Sequence, residues 1–347
     1  MTTIKHPGVY IEELANHSLS VTSGQTAVPA FAAGDDSGVT ETRRINSWLD
    51  FVNAIGEFNP AKQLHVSLRS YFENGGGYCY IVPTSQLATE IPKLEDITLL
   101  VSAGQDINPL VSSLCVDGMG LFAILDGPES EISSEHQGTY PSTSHAAVYY
   151  PWLSSDWSKV NIPPGAAVAG AYCSTDRERG AWKAPANVAL KGGLRPIFKV
   201  SDEQQANYMD GKAINMIREF SRGGTLIWGA RTLEESDSWR YIPVRRLFDT
   251  VERDIKKALR VTVFEPNNQV TWERSRAAIS NYLHGLWQQG GLMGARPEEG
   301  YFVQVGSGIT MTDEDIQAGK LIVKVGLAAV RPAEFIILQF TQEVGQG

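Results

Sequence analysis

Between residues 62 and 73 apolar side chains recur at Leu64, Leu68, Tyr71 and Phe72, the spacing of one helix face. Asn74-Gly75-Gly76-Gly77 ends that helix, and the apolar run 78–82 reads as a strand. The runs 121–125, 146–150 and 166–172 are short and apolar throughout, which predicts three more buried strands; 26–33 is a further apolar run. Buried strands separated by helical stretches predict a mixed or parallel sheet. From about Trp239 the pattern changes. Residues 245–260 place Leu247, Phe248, Val251, Ile255, Ala258 and Leu259 on one side of a helix, with Arg246, Arg253, Lys257 and Arg260 opposite. A second helix over 271–289 carries Trp272, Ile279, Tyr282, Leu283 and Leu286 on one stripe and stops at Gly290-Gly291. Thr312 caps a short predicted helix over 313–318, Gly319 stops it, and 321–325 opens a last strand pair.

Both ends are strand-like. Val9-Tyr10-Ile11-Glu12-Glu13-Leu14 follows a Pro-Gly turn and is rich in β-formers. At the other end Pro332 precedes Ala333-Glu334-Phe335-Ile336-Ile337-Leu338-Gln339-Phe340-Thr341, with Ile336, Leu338 and Phe340 on one face and Phe335 and Ile337 on the other. A greasy strand at a chain end invites aggregation unless it is paired. It pairs either inside its own domain or with other subunits.

Composition narrows the function classes. The 347 residues are 42% hydrophobic, enough for a sizeable core, and suggest about two domains. Thirty basic against 39 acidic residues give a net charge of −9, which disfavours nucleic acid as a partner. Residues 245–260, with six basic and three acidic side chains, are a local exception. Their charged side is either a solvated face or a contact to an acidic partner. Cys79, Cys115 and Cys173 lie far apart and read as core residues of a protein made in a reducing compartment. The N-terminus shows no apolar signal-peptide core, and no run is long enough to span a membrane, so synthesis in the cytoplasm without membrane insertion is expected.

A search for chemistry finds no nucleophile elbow, zinc-protease motif or phosphate loop. Gly118-Met119-Gly120 has dinucleotide-loop spacing, but the residues after it read as a strand where that motif needs a helix. The six histidines lack metal-ligand spacing. Asp126, His145 and Ser174 could be written as a triad only on paper. Tyr149-Tyr150-Pro151-Trp152 and Trp157 read as packing aromatics, with a ligand platform as the alternative. No catalytic residue, metal or cofactor is expected.

A collinear set of segments resembles the sheath proteins of contractile tails. They are Pro7-Gly8-Val9-Tyr10-Ile11-Glu12-Glu13, Thr26-Ala27-Val28-Pro29-Ala30-Phe31, Tyr71-Phe72-Glu73-Asn74-Gly75-Gly76-Gly77 and Ala147-Val148-Tyr149-Tyr150-Pro151-Trp152. Arg179-Gly180-Ala181-Trp182-Lys183-Ala184-Pro185-Ala186-Asn187, Trp228-Gly229-Ala230-Arg231-Thr232-Leu233, Val244-Arg245-Arg246-Leu247, Phe264-Glu265-Pro266-Asn267 and Arg331-Pro332-Ala333-Glu334-Phe335 complete it. The compact length is similar to sheaths of extracellular contractile injection systems of the antifeeding-prophage and Photorhabdus virulence-cassette type.

This resemblance implies an α/β (α+β) two-domain sheath fold. Residues 1–22 would be an N-terminal arm, 23–236 an outer α/β domain, 237–332 a conserved inner domain and 333–347 a C-terminal arm. The arms, with Val9, Tyr10, Ile11 and Glu12 at one end and Phe335, Ile336, Ile337, Leu338 and Phe340 at the other, would add strands to neighbouring subunits. The implied partners are further copies in stacked hexameric rings, an inner tube, and baseplate and terminator or cap proteins, in a particle that works outside the cell. Arg246, Arg253, Lys257 and Arg260 are candidate tube contacts, with Arg274, Arg276 and Arg296 as alternatives. The same mechanics would serve a contractile phage tail or R-type bacteriocin. A subtilisin-like hydrolase is the rival from another class, and no serine motif supports it.

Overall fold

The computed structural model describes residues 19–334, so the two expected terminal strands, at 9–14 and 335–341, lie outside the described residues. A nine-stranded sheet forms the largest element. Its strands in chain order are β1 (Pro29–Ala33), β2 (Arg43–Ile45), β3 (Cys79–Pro83), β4 (Leu99–Val101), β5 (Phe122–Asp126), β6 (Ala146–Tyr150), β8 (Val188–Ala189), β10 (Ile214–Phe220) and β11 (Gly224–Trp228). Across the sheet they run β2-β3-β1-β4-β5-β6-β10-β11-β8. The central strands β3 to β10 are mutually parallel, and antiparallel strands close both edges. A small antiparallel pair, β7 (Leu153–Ser154) with β9 (Arg195–Pro196), stands apart.

Strand alternation splits the sheet residues between two cores. On β5, Phe122 and Ile124 face one and Ala123 and Leu125 the other; β1 and β6 alternate likewise. The first face is covered by α2 (Gln63–Glu73) and α4 (Pro164–Arg179), with α1 (Trp48–Ile55) at its margin. The second is covered by α3 (Asn108–Leu114) and by Leu87 and Ile91. The three cysteines are buried and free, as core residues should be.

One expectation fails here. Residues 166–172 are not a strand but the middle of α4, a 16-residue helix that begins at Pro164 and is buried on all sides over its first ten residues. A run of Ala and Gly carries too little contrast for a period of 2 or 3.6 to show. The small residues serve close packing. A Cβ at Gly170 would collide with the Tyr71 carbonyl oxygen and meet Asn74 at 3.0 Å. Gly170→Ala is therefore expected to cost about 1–3 kcal/mol through overpacking, despite Ala's better helix propensity. A urea midpoint at or above that of the parent chain would contradict this.

A third core lies C-terminal to the sheet. Helices α5 (Ile242–Leu259) and α6 (Gln269–Gln288) pack Leu247, Val251 and Ile255 against Ile279, Leu283 and Leu286. Both helices fall within three residues of their predicted spans, and Asn268 caps the second. A two-stranded ribbon, β12 (Tyr301–Gln304) antiparallel to β13 (Lys324–Leu327), lays Tyr301, Val303, Val325 and Leu327 on this core. Between them Thr312 caps α7 (Asp313–Gln317), and Gly319 follows it at φ +73°. The ladder of β13 starts at Lys324, leaving Leu321, Ile322 and Val323 outside any ladder among the described residues.

Candidate functional site: the anchored ends of the described chain

The described chain starts with a segment that lies against α5. Val21 enters the third core, the Gly24 amide donates to Asp254 Oδ1 (3.2 Å), Arg253 donates to the Gln25 carbonyl (2.8 Å) and Arg246 to the Thr26 carbonyl (3.1 Å). Tyr282 of α6 donates to the other oxygen of Asp254 (2.8 Å), so both helices hold this segment.

Arg246 anchors more than a backbone carbonyl. Its guanidinium grips Asp176 of α4 with two bonds, of 3.0 and 2.5 Å, and lies 4.6 Å from the centre of the Tyr172 ring. Thr26 Oγ1 donates to the same carboxylate at 2.6 Å. Both charged side chains are 3% exposed. Burial works to lower the Arg246 pKa, but the Asp176 charge and hydrogen bonds outweigh it and the net shift is upward. The pair thus joins the segment at Thr26, α5 and the sheet-covering helix α4 at one point.

The C-terminal end of the described residues is held separately. Glu334, the last described residue, receives Arg231 through Nε (3.1 Å to Oε1) and a terminal nitrogen (2.6 Å to Oε2), plus the Tyr241 hydroxyl (3.2 Å). Arg231 is itself set by its third nitrogen on the Met209 carbonyl (2.8 Å) and its backbone amide on Asn215 (2.8 Å). The hydrogen bonds it donates to Glu334 raise the Arg231 pKa, against partial burial. This fork geometry fixes direction as well as position.

The rest of α5 is stitched to loops at one end of the sheet. Arg245 bonds Asp249 (2.9 Å) and stacks on Trp239 at 4.2 Å; His145 bonds Asp117 (3.0 Å); Lys256 reaches the Gly118 carbonyl (3.0 Å). Burial raises the Asp249 pKa even with Arg245 and His145 beside it.

These contacts use part of the expected basic face within the chain: Arg246 is buried on Asp176, and Arg253 is half-buried on the Gln25 carbonyl with its pKa lowered by burial. Over its first half, the helix side opposite the apolar stripe is covered by α4 and by a loop of the sheet, which meet Arg246 and Arg245; over its last turns it reaches solvent. Lys257 and Arg260 are exposed, Arg260 beside Glu95 at 3.2 Å. Arg274, Arg276 and Arg296 are exposed too, with Arg276 paired to Glu273 and Arg296 to Glu299.

The paper triad is not assembled. Asp126 accepts from Ser102 and from the Gly104 and Gly165 amides, His145 bonds Asp117, and Ser174 bonds Glu178. The aromatic run packs: Tyr149 bonds Tyr172 (2.7 Å), and Trp152 and Trp157 donate to the Gly127 and Gly192 carbonyls. Gly118-Met119-Gly120 leads into β5, not a helix.

Sequence reasoning missed Asp176, Arg231, Tyr241, Asp254 and Glu334 as anchors. The available signal was a charge set among apolar neighbours, as in Trp228-Gly229-Ala230-Arg231 and Pro332-Ala333-Glu334. Their pairing spans 103 positions and is invisible locally.

Comparison with known proteins agrees with this architecture. The family profile of the phage tail sheath C-terminal domain matches residues 234–343. The sheath complex of an extracellular contractile injection system, PVC, in its contracted state is 61% identical, with a TM-score of 0.94 over 99% of both chains. The helical sheath of the anti-feeding prophage in its contracted state is 45% identical, with a TM-score of 0.84 over 98% of this chain and 100% of that one. The tail sheath protein of Enterobacteria phage T4 is 27% identical over 159 residues, 44% of this chain. That match spans about a quarter of the phage protein's length, 24%.

Proposed function

The chain belongs to the contractile tail sheath family, and from that premise we propose how its subunits link and move. It is a structural sheath subunit of a contractile injection particle, not an enzyme. Subunits stack as six-fold rings around an inner tube, in an extended metastable sheath whose shortening drives the tube through a target envelope. Open head-to-tail contacts build such a filament, and the energy is conformational, trapped behind a barrier. The nearly full-length overlap with injection-system sheaths favours that setting over a phage tail or bacteriocin.

The observation that carries the linkage is the ribbon of β12 and β13. It is only two strands wide, one face lies on the third core, and among the described residues its outer edges have no ladder partner. Such edges are templates for further strands. Arms of neighbouring copies, carrying Val9–Glu12 and Phe335–Phe340, would widen it. About twelve backbone hydrogen bonds at ~0.5–1.5 kcal/mol each give roughly 6–18 kcal/mol gross per subunit before ordering costs. Links of that size survive while the bodies between them rotate. The anchored ends fit this task, since Arg246, Asp254 and Arg231 fix where each arm departs.

For the tube, the exposed cations Lys257, Arg260, Arg274, Arg276 and Arg296 supply a weak, salt-sensitive grip on an acidic surface, which contraction can release. A baseplate supplies the trigger, and a cap closes the far end. Hydrogen exchange tests the linkage: amides of 301–304 and 321–327 should slow by about tenfold or more on assembly. Unchanged exchange in assembled cylinders would refute it.

A further inference from the structure

One end of the sheet is tied to α5 through a cluster that holds two buried polar atoms without partners. Arg245 meets Asp249 through two nitrogens, at 2.9 and 2.8 Å, and both fall on Oδ1. A guanidinium fork often takes both oxygens of a carboxylate. Here Oδ2 is left over, buried and without a hydrogen bond, and so is Nδ1 of His145, 3.8 Å away. The two side chains are 5% and 6% exposed. His145 Nε2 lies 3.0 Å from Asp117 Oδ1, and a carboxylate only accepts, which assigns the ring hydrogen to Nε2. Nδ1 is then an acceptor that faces a second acceptor. Such a pair costs free energy in a low-dielectric site, and one proton between the two atoms removes the cost.

We propose that His145 and Asp249 share one added proton, and that this proton locks α5 to the loops before β5 and β6. The proton makes Nδ1 a donor to Oδ2, so both orphaned atoms are satisfied at once. The surroundings favour it. Arg245 is the cation in contact with both carboxylates, reaching Asp117 at 3.5 Å, so a further positive charge balances the cluster. Along α5, Glu252 adds a negative field at Asp249 and pairs with Lys256 (2.8 Å), while Arg253 turns to the Gln25 carbonyl. The loop before β5 brings Asp117, which stands in solvent, and the buried Cys115, whose thiol is pushed up by burial and by the Asp249 charge. Burial pushes the Asp249 carboxyl up as well, in the same direction as the shared proton. The lock belongs to the single subunit and does not depend on how subunits link.

The sign follows from linkage. An unfolded chain loses the histidine proton above about pH 6.5, whereas the folded pair keeps its proton. The added stability is therefore fully present below that value and is lost as pH rises through the titration of the folded pair. Urea unfolding of the full chain from about pH 6.5 to 8.5 reads this directly. The unfolding constant of the parent should rise by up to about tenfold per pH unit relative to His145→Gln, which keeps a donor for Asp117 and does not titrate. Asp249→Asn, whose amide donates to Nδ1 without any proton, should lose the same pH dependence. His65, whose pKa is lowered by burial, acts in the opposite sense in all three chains and cancels in the comparison. A measurement on the parent alone covers the case in which neither variant folds. Its amide protection across 116–121, corrected for intrinsic exchange, should fall with rising pH faster than that of 301–304. Parallel pH profiles for parent and His145→Gln, including a loss equal at every pH, would overturn the proposal. So would equal pH responses in the two segments, because the cluster would then be satisfied without a proton.

Discussion

Arg246→Ala should lower the stability of the monomer by about 3–5 kcal/mol, the usual loss when one partner of a buried ion pair is removed. Asp176, 3% exposed, would keep only the Thr26 hydroxyl against its charge, and the Thr26 carbonyl would lose its donor as well. The cost comes from the stranded carboxylate more than from the lost attraction. Arg246→Met combined with Asp176→Leu should therefore recover most of the loss, since an apolar pair of similar volume is often neutral or better. Urea unfolding of the three chains checks both statements. A single-substitution loss under about 1 kcal/mol would mean the pair is not buried as described. The double variant should still assemble poorly if the N-terminal segment, and not only the fold, needs the Thr26 contact.

Legibility in the sequence followed contrast. Residues 146–150 are a strand in both readings, and 79–83 and 122–126 differ from their predicted positions by one residue, because each short apolar run is bounded by turn formers. Helices α5 and α6 were plain from their stripes, since each has one face on the third core and a polar remainder. The helix α4 was misread because Ala and Gly on every side give no periodic signal. The burial of Arg246, on the basic side of α5, is hidden in the sequence for a related reason. An arginine that pairs with a carboxylate 70 positions away looks, in sequence, the same as one facing water. The anchors were illegible for that reason too: Arg231 and Glu334, or Gly24 and Asp254, meet only in three dimensions. The resemblance supplies the idea of arms, and the structure shows how residues 24–26 and Glu334 are held.

Removing residues 1–14 should abolish cylinder formation while leaving the monomer folded. The deletion spares Gly24, Gln25 and Thr26 with their contacts to Asp254, Arg253 and Arg246, and spares Val21 in the third core. Its melting temperature should therefore stay within a few degrees of the parent. Assembly, by contrast, loses one of two strand links per subunit, about half of the roughly 6–18 kcal/mol gross attributed to them. That is many orders of magnitude in an association constant even after ordering costs. The measurement is negative-stain electron microscopy of the full and truncated chains, purified by size exclusion and examined at equal concentration. The account predicts rings or hollow cylinders from the full chain and folded monomers alone from the truncated one. Normal cylinders from the truncated chain would contradict it.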